Sequence, residues 1–331
     1  MLRLPYFSYL QPTSIDEALK MKQDVGPDGM YVAGGTDLYP NMKRRHQEPK
    51  TVISLAAIES LRRVSVEPGA SAVIGSGMTL TEIETHAGFR SNYPVVAQAA
   101  ELVATPLLRN MGTIGGNLCL DTRCNYYNQT YEWRKSIDFC MKKDGEICWV
   151  APSSPRCWAV SSTDLAPVMV ALDAQFTLIG TNGERQVPAG RFYHDDGIDY
   201  LTKQPDEILT DIRIPAPNGW DATYWKLRRR GSFDFPVLGV AAWILWDGTT
   251  VRDARVVLGG VASFPKLMAA SSEAIVGTDL NDDAIASAAQ AAFKPAKPMD
   301  NTDFGLAWRK EMTRNYVRAA LEELRSRHRE A

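Results

Sequence analysis

Five cysteines in this chain of 331 residues all fall between positions 119 and 157. Four of them, Cys124, Cys140, Cys148 and Cys157, are separated by 15, 7 and 8 residues. Thiolates are the ligands that iron–sulfur clusters require, and they also suit tetrahedral zinc. Zinc ribbons bring their ligands in close Cys-x-x-Cys pairs, which this chain lacks. Wide, irregular spacing suits a loop wrapped around a larger cluster. A secreted disulfide framework would instead spread an even number of cysteines over a short chain. Cys119 stands five residues before Cys124, and spacing alone leaves it open as a substitute ligand. The plain alternative for all five is a set of buried, inert thiols.

Two glycine-rich segments offer a second kind of chemistry. Ala33-Gly34-Gly35-Thr36-Asp37 follows a short apolar run, and Arg109-Asn110-Met111-Gly112-Thr113-Ile114-Gly115-Gly116-Asn117 repeats the theme. Adjacent glycines let backbone amides approach an anion, and a threonine adds a hydroxyl. Two such turns could close on one diphosphate from two sides. An isolated Gly-Gly is more often a tight turn, so the pair carries the reading. Neither is a Walker loop, because no Gly-Lys-Ser/Thr follows. Gly75-Ser76-Gly77 imitates the start of a Rossmann fingerprint, but Leu80 replaces the third glycine, which excludes that fold. The four histidines are scattered (His46, His86, His194, His328), with no His-Glu-x-x-His, and no Gly-x-Ser-x-Gly elbow occurs. Arg228-Arg229-Arg230 reads as a solvated face, with a phosphate or a partner subunit as the alternative.

These residues need elements to hold them. Ser14 and Glu17 have capping-box spacing ahead of a helix whose apolar face is Ile15, Ala18 and Leu19. Strands are predicted at 30–33, 51–55 and 72–75, and helices at 79–86 and 95–103. Regular structure resumes at 165–172, with a hairpin over 175–187 turning at Asn182-Gly183. Further strands are expected at 208–214, 222–229, 237–246 and 251–259, then helices at 281–293 and 307–325. Residues 119–162 break this rhythm with turn signals and no core periodicity. A stretch that long without a packing pattern is abnormal inside a compact domain, so it reads as an insertion held by something other than packing. Ala216-Pro217-Asn218-Gly219 is the best linker candidate.

Composition removes several classes. Lys plus Arg number 37 against 39 Asp plus Glu, too balanced for a global nucleic-acid or membrane-surface field. No apolar run approaches the ~18–20 residues of a membrane span, and the first residues lack a signal-peptide layout. The expectation is a cytoplasmic protein without membrane or nucleic-acid partners.

Three ordered motifs now carry a resemblance: Ala33-Gly34-Gly35-Thr36-Asp37-Leu38, then Arg109-Asn110 with Gly112-Thr113-Ile114-Gly115-Gly116-Asn117, then Thr163-Asp164-Leu165-Ala166-Pro167. Together they resemble the FAD-binding medium subunits of the xanthine dehydrogenase (molybdenum hydroxylase) family, over essentially the whole chain. The tail, with Lys226, Asp234 and Val237, is similar to that family's C-terminal flavoprotein domain. The insertion between Asn117 and Asp164 resembles the one in the beta subunit of 4-hydroxybenzoyl-CoA reductase, which carries an extra [4Fe-4S] cluster.

The resemblance implies an α+β chain. A two-part FAD-binding domain of the PCMH type, like that of vanillyl-alcohol oxidase, would span 1–215, with lobes at about 1–56 and 57–215. An α/β domain of antiparallel sheet and helices would span 216–331. FAD would be held by Tyr31, Val32, Ala33, Gly34, Gly35, Thr36, Asp37 and Leu38, and by Thr113, Ile114, Gly115, Gly116 and Asn117. Thr79 would neighbour the flavin and Ala104 would line its channel. Asp164, with Leu165 beside it, would reach sugar hydroxyls, and Lys226 would sit near the adenine or phosphates. Tyr200 is a loose candidate for covering the ring. Cys124, Cys140, Cys148 and Cys157 would ligate the [4Fe-4S] cluster, leaving Cys119 free.

The resemblance also implies partners: a small [2Fe-2S] subunit and a large molybdopterin subunit, as a dimer of heterotrimers, with ferredoxin as electron donor. This chain would relay electrons, and the reductive dehydroxylation of an aromatic acyl-CoA would occur on the large subunit. The alternatives are the same subunit in an oxidative hydroxylase, a zinc-stabilised flavin module, or an NAD(H)-linked flavin subunit.

Overall fold

The computed structural model describes residues 2–330. Its first layer is a small parallel sheet of β1 (Ser8–Leu10), β2 (Gly29–Val32) and β3 (Thr51–Ser54), ordered β1-β3-β2. The helix Ile15–Val25 returns the chain between β1 and β2. Ser14 caps it by accepting the Glu17 amide at 3.2 Å. The expected reciprocal bond is displaced by one residue: the Glu17 carboxylate takes the Thr13 amide at 2.7 Å. The Thr13 hydroxyl donates to the same oxygen at 3.2 Å, so two donors outcompete the one on Ser14.

The middle sheet is antiparallel: β4 (Val64–Ser65), β5 (Ala72–Gly75), β6 (Gln175–Gly180), β7 (Gly183–Pro188) and β8 (Ile208–Ile214), ordered β4-β5-β8-β6-β7. The β6–β7 hairpin turns at Thr181-Asn182, one residue earlier than the sequence suggested, with Gly183 at φ +103°. Short helices between β5 and β6 bury Phe89, Tyr93, Val96, Leu165 and Met169 against Phe176 and Ile212.

The third sheet is β9 (Trp220–Leu227), β10 (Leu238–Asp247), β11 (Thr250–Gly259) and β12 (Lys266–Leu267), ordered β12-β11-β10-β9. It is apolar on both faces. Tyr224, Ala241, Trp243 and Val257 join the middle core. Val240, Ala242, Ile244, Val256 and Leu258 face the helices Asp282–Phe293 and Leu306–Glu330. Alternation along a strand sends neighbouring residues into two different cores. Among the described residues, no helix is long and apolar enough to cross a membrane.

Residues 119–162 contain one short helix, Tyr131–Ser136, which the sequence reading missed. Thr130 caps it by accepting the Trp133 amide at 3.4 Å. Arg123 and Val160 pair backbone to backbone at 2.8 and 2.7 Å, closing the neck of the insertion. Polar anchors fix its far side. The buried Arg134 donates to the Arg44 and Arg45 carbonyls, each at 3.2 Å. His46 stacks on Tyr127 at 4.2 Å. The Asn125 amide bonds the Asn301 carbonyl at 2.9 Å, and the Asn301 side chain bonds the Trp158 carbonyl at 2.6 Å.

Candidate functional site

The two glycine turns meet. A Cβ placed on Gly34 would stand 1.7 Å from the Met111 carbonyl oxygen, so only glycine lets the first turn lie against the second. Gly115 is pressed against Ser76 in the same way, with 2.6 Å to the Ser76 Cβ. Gly35 adopts φ +71°, and a Cβ there would meet only the Tyr39 ring. The second turn is one turn of helix, Ile114–Leu118, capped by Thr113, whose hydroxyl accepts the Gly116 amide at 3.0 Å. The amides of Gly34 to Asp37 find no protein acceptor among the described residues. That leaves them available to an anion.

A cavity of about 550 Å³ opens beside the turns. Tyr31 through Leu38, Ala104, Thr113, Gly116, Asn117 and Asp164 all line it. A second chamber of about 680 Å³ shares Tyr31, Ala33, Gly34, Thr113, Gly116, Cys119 and Tyr200 as walls, and adds Thr79 and Gly115. Both volumes lie in the range of cofactor sites. Thr79 is also a helix cap there, its hydroxyl bonded to Glu82 at 2.8 Å. Ala104 takes φ +46° and accepts the amide of Phe233, itself at φ +71°, at 2.8 Å. Two left-handed residues without a glycine thus meet at this wall, the kind of strain that collects at functional sites.

Ile114, Leu165 and Lys226 line neither chamber; they stand behind the wall. Asn117 Oδ1 accepts the Thr163 hydroxyl at 2.6 Å and the Leu165 amide at 3.3 Å, joining the second motif to the third. Tyr224 and Lys226, two apart on β9 and so on one face, both reach Asp164: the hydroxyl at 3.0 Å and the ammonium at 3.0 Å. Burial pushes the Asp164 carboxyl above its ordinary value, and the Lys226 ammonium works against that shift. Lys226 therefore orients the cavity carboxylate rather than meeting the cavity itself.

The sequence reading missed much of the remaining wall. Asp121, Arg123, Phe233, Phe235 and Asn301 line the first chamber. Arg123 pairs with Asp37 of the first glycine turn and lies 4.4 Å over the Phe235 ring. No local signal marks these residues, because they come from the insertion neck, the loop between β9 and β10, and the segment ahead of the last helix.

The structure draws the four outer cysteines only partly together. All are buried and unpaired by disulfides. Cys124, Cys140 and Cys157 share one small apolar cluster with Tyr127 and Ala159. Cys148 is buried as well but lies outside that cluster. The Ala159 amide donates to the Cys157 sulfur at 3.4 Å. Burial pushes the Cys124 and Cys140 thiols above their ordinary value. Among the described residues, no three His, Cys, Asp or Glu side chains are gathered to hold a single ion. Cys119 lies apart, in the wall shared by the two chambers, where burial pushes its thiol up to about 11. Cys124 touches both worlds, because it lines the first chamber too.

Residues 5–217 match the FAD binding domain in molybdopterin dehydrogenase, and residues 222–324 match the CO dehydrogenase flavoprotein C-terminal domain. The carbon monoxide dehydrogenase medium chain of Hydrogenophaga pseudoflava is 28% identical over 320 residues, 96% of each chain. The aldehyde oxidoreductase FAD-binding subunit of Escherichia coli is 32% identical over 268 residues, 78% of this chain and 82% of that one. A solved carbon monoxide dehydrogenase from Hydrogenophaga pseudoflava superimposes with a TM-score of 0.80 at 27% identity, covering 98% of this chain and 99% of that one.

Proposed function

This chain belongs to the family of FAD-binding domains in molybdopterin dehydrogenase, and from that premise we propose that it is the flavin- and [4Fe-4S]-carrying subunit of a 4-hydroxybenzoyl-CoA reductase-like enzyme. The coarser statement stands on the relatives: it is an FAD-binding oxidoreductase subunit of the molybdenum hydroxylase family. The finer one rests on the thiols. Four buried, disulfide-free cysteines lie in the insertion, three of them (Cys124, Cys140 and Cys157) in one small cluster, and Cys124 also lines the cavity.

Bound there, FAD exchanges electrons singly or in pairs, and an iron–sulfur cluster carries them one at a time. The protein's own residues do the placing. The free amides of Gly34 to Asp37 would hold the diphosphate, together with the second turn at Thr113 and Gly116. Asp164, held by Tyr224 and Lys226, presents an acceptor to sugar hydroxyls. Cys124, Cys140, Cys148 and Cys157 hold the cluster, and Arg123 ties the insertion neck to the first glycine turn through Asp37. The partners in this reading are a small [2Fe-2S] subunit, a large molybdopterin subunit and an external ferredoxin. The division near residue 216 separates the FAD-binding part from the C-terminal domain.

A second reading keeps the subunit and reverses the reaction. The relatives are named as dehydrogenases and an oxidoreductase acting on carbon monoxide, aldehyde or nicotinate, which favours an oxidative hydroxylase.

The deciding experiment is the iron, zinc, sulfide and flavin content of the anaerobically purified complex, per copy of this chain. One FAD and four irons beyond those of the small subunit are expected. Zinc without additional iron would overturn the cluster and leave a flavin subunit with a structural clip. Assay of the same complex with reduced ferredoxin and an aromatic acyl-CoA then separates the two directions.

A further inference from the structure

Lys142 belongs to the insertion, two residues beyond Cys140, yet its ammonium is delivered to the cavity wall. Its side chain is 6% exposed. The ammonium donates to Asp121 Oδ1 at 2.8 Å, to the Thr122 hydroxyl at 2.8 Å and to the Gly197 carbonyl at 2.5 Å. It also lies 4.9 Å from the Tyr127 ring centre and 5.3 Å from that of Tyr200. Asp121 and Tyr200 both line the first chamber. On the other side, Gly197 is packed against Cys157: a Cβ there would stand 2.7 Å from the sulfur. One buried cation therefore sits between the thiol set and the cavity. Its counter-charge, Asp121, is equally buried and faces the cavity, with its second oxygen accepting the Tyr127 hydroxyl at 3.0 Å.

We infer that Lys142 and Asp121 form a matched charge pair that sets the reduction potential of the flavin. Lys142 is a positioning residue that holds this balance from within the insertion. The inference rests on the flavin reading of the cavity but not on the cluster. The neighbouring charges, Arg123 and Asp37, already neutralise each other. Loss of either member of the Lys142–Asp121 pair thus leaves one uncompensated charge in a poorly screened site. An unpaired carboxylate disfavours added electrons, and an unpaired ammonium favours them.

The test is a dye-mediated redox titration of flavin absorbance in the whole complex, with iron measured alongside. Lys142→Met lowers the flavin midpoint potential and the near-isosteric Asp121→Asn raises it. Lys142→Arg and the double variant Lys142→Met/Asp121→Asn return it toward wild type. Shifts of the same sign in both single variants, or no shift in flavin-loaded protein, would overturn the inference and leave Lys142 a structural tether. Because the flavin is read directly, a wild type without additional iron sinks the cluster proposal while leaving this outcome legible.

Discussion

The glycine-turn cavity and the cysteine insertion lie side by side, yet they are built by opposite means. The cavity is made by packing: Gly34 against Met111, Gly115 against Ser76, and the whole supported by the large middle core. The insertion has a small cluster of its own and depends on single polar anchors such as Arg134, His46 and Asn301. Close-packed backbone tolerates no added atoms, whereas a polar-anchored loop depends on its partners and on what it binds. A preformed cofactor cavity and a polar-anchored loop thus coexist in one wall, with Cys124 and Arg123 at the seam.

The strongest way to break the comparison is at Gly34. Gly34→Val should cost about 3 kcal/mol or more and abolish flavin retention, read as the flavin-to-protein ratio and the melting temperature. Gly35 is the gentler position, because a new Cβ meets only the Tyr39 side chain rather than backbone; its φ of +71° makes Gly35→Ala cost about 1–2 kcal/mol. A Gly34 variant with full flavin would show that the turns do not depend on contact.

Cys140→Ser tests the insertion's independence. Iron and labile sulfide should fall to the level of the small subunit while flavin stays near one per chain. Equal loss of flavin would mean that the two regions are one unit.

Acid should separate them next. His46 is held neutral, its pKa lowered to about 4 by burial against an ordinary 6.5, with Arg134 and Arg44 adding to the shift and the Gln129 carbonyl opposing it. A depressed histidine contributes stability that is complete above about pH 6.5 and lost as pH falls toward about 4. Limited proteolysis of the insertion should therefore accelerate between pH 6.5 and 5, before the cavity releases flavin. His46→Phe, which keeps the stack on Tyr127, should flatten that dependence; an unchanged profile would assign the acid sensitivity elsewhere.

The smallest effect belongs to Cys119→Ser. It should leave iron content unchanged and shift stability by no more than about 1 kcal/mol, since Cys119 lies apart from the other four. Loss of iron would make it a ligand.

Much of the site was legible because it is local. Gly-Gly followed by Thr-Asp, or Thr113 capping Gly115-Gly116, encodes backbone geometry within a few residues. The register of the capping box at Ser14 and the hairpin turn before Gly183 each slipped by one residue, because competing donors and strand pairing decide such details. The helix Tyr131–Ser136 escaped notice because its exposed face carries Tyr131 and Trp133 and its buried residue is an arginine, the reverse of an amphipathic pattern.

Sequence alone determined the chemical inventory: thiols confined to one unpatterned segment, and paired glycine turns able to admit an anion. Only tertiary structure decided which groups share a wall. The placement of Asp121, Arg123, Lys142 and Tyr200 depends on a neck closed by Arg123 and Val160 and on a sheet that divides its faces between two cores. Such long-range juxtapositions leave no periodicity in the chain. They arise when buried charges must find partners, and those partners lie wherever the fold brings them.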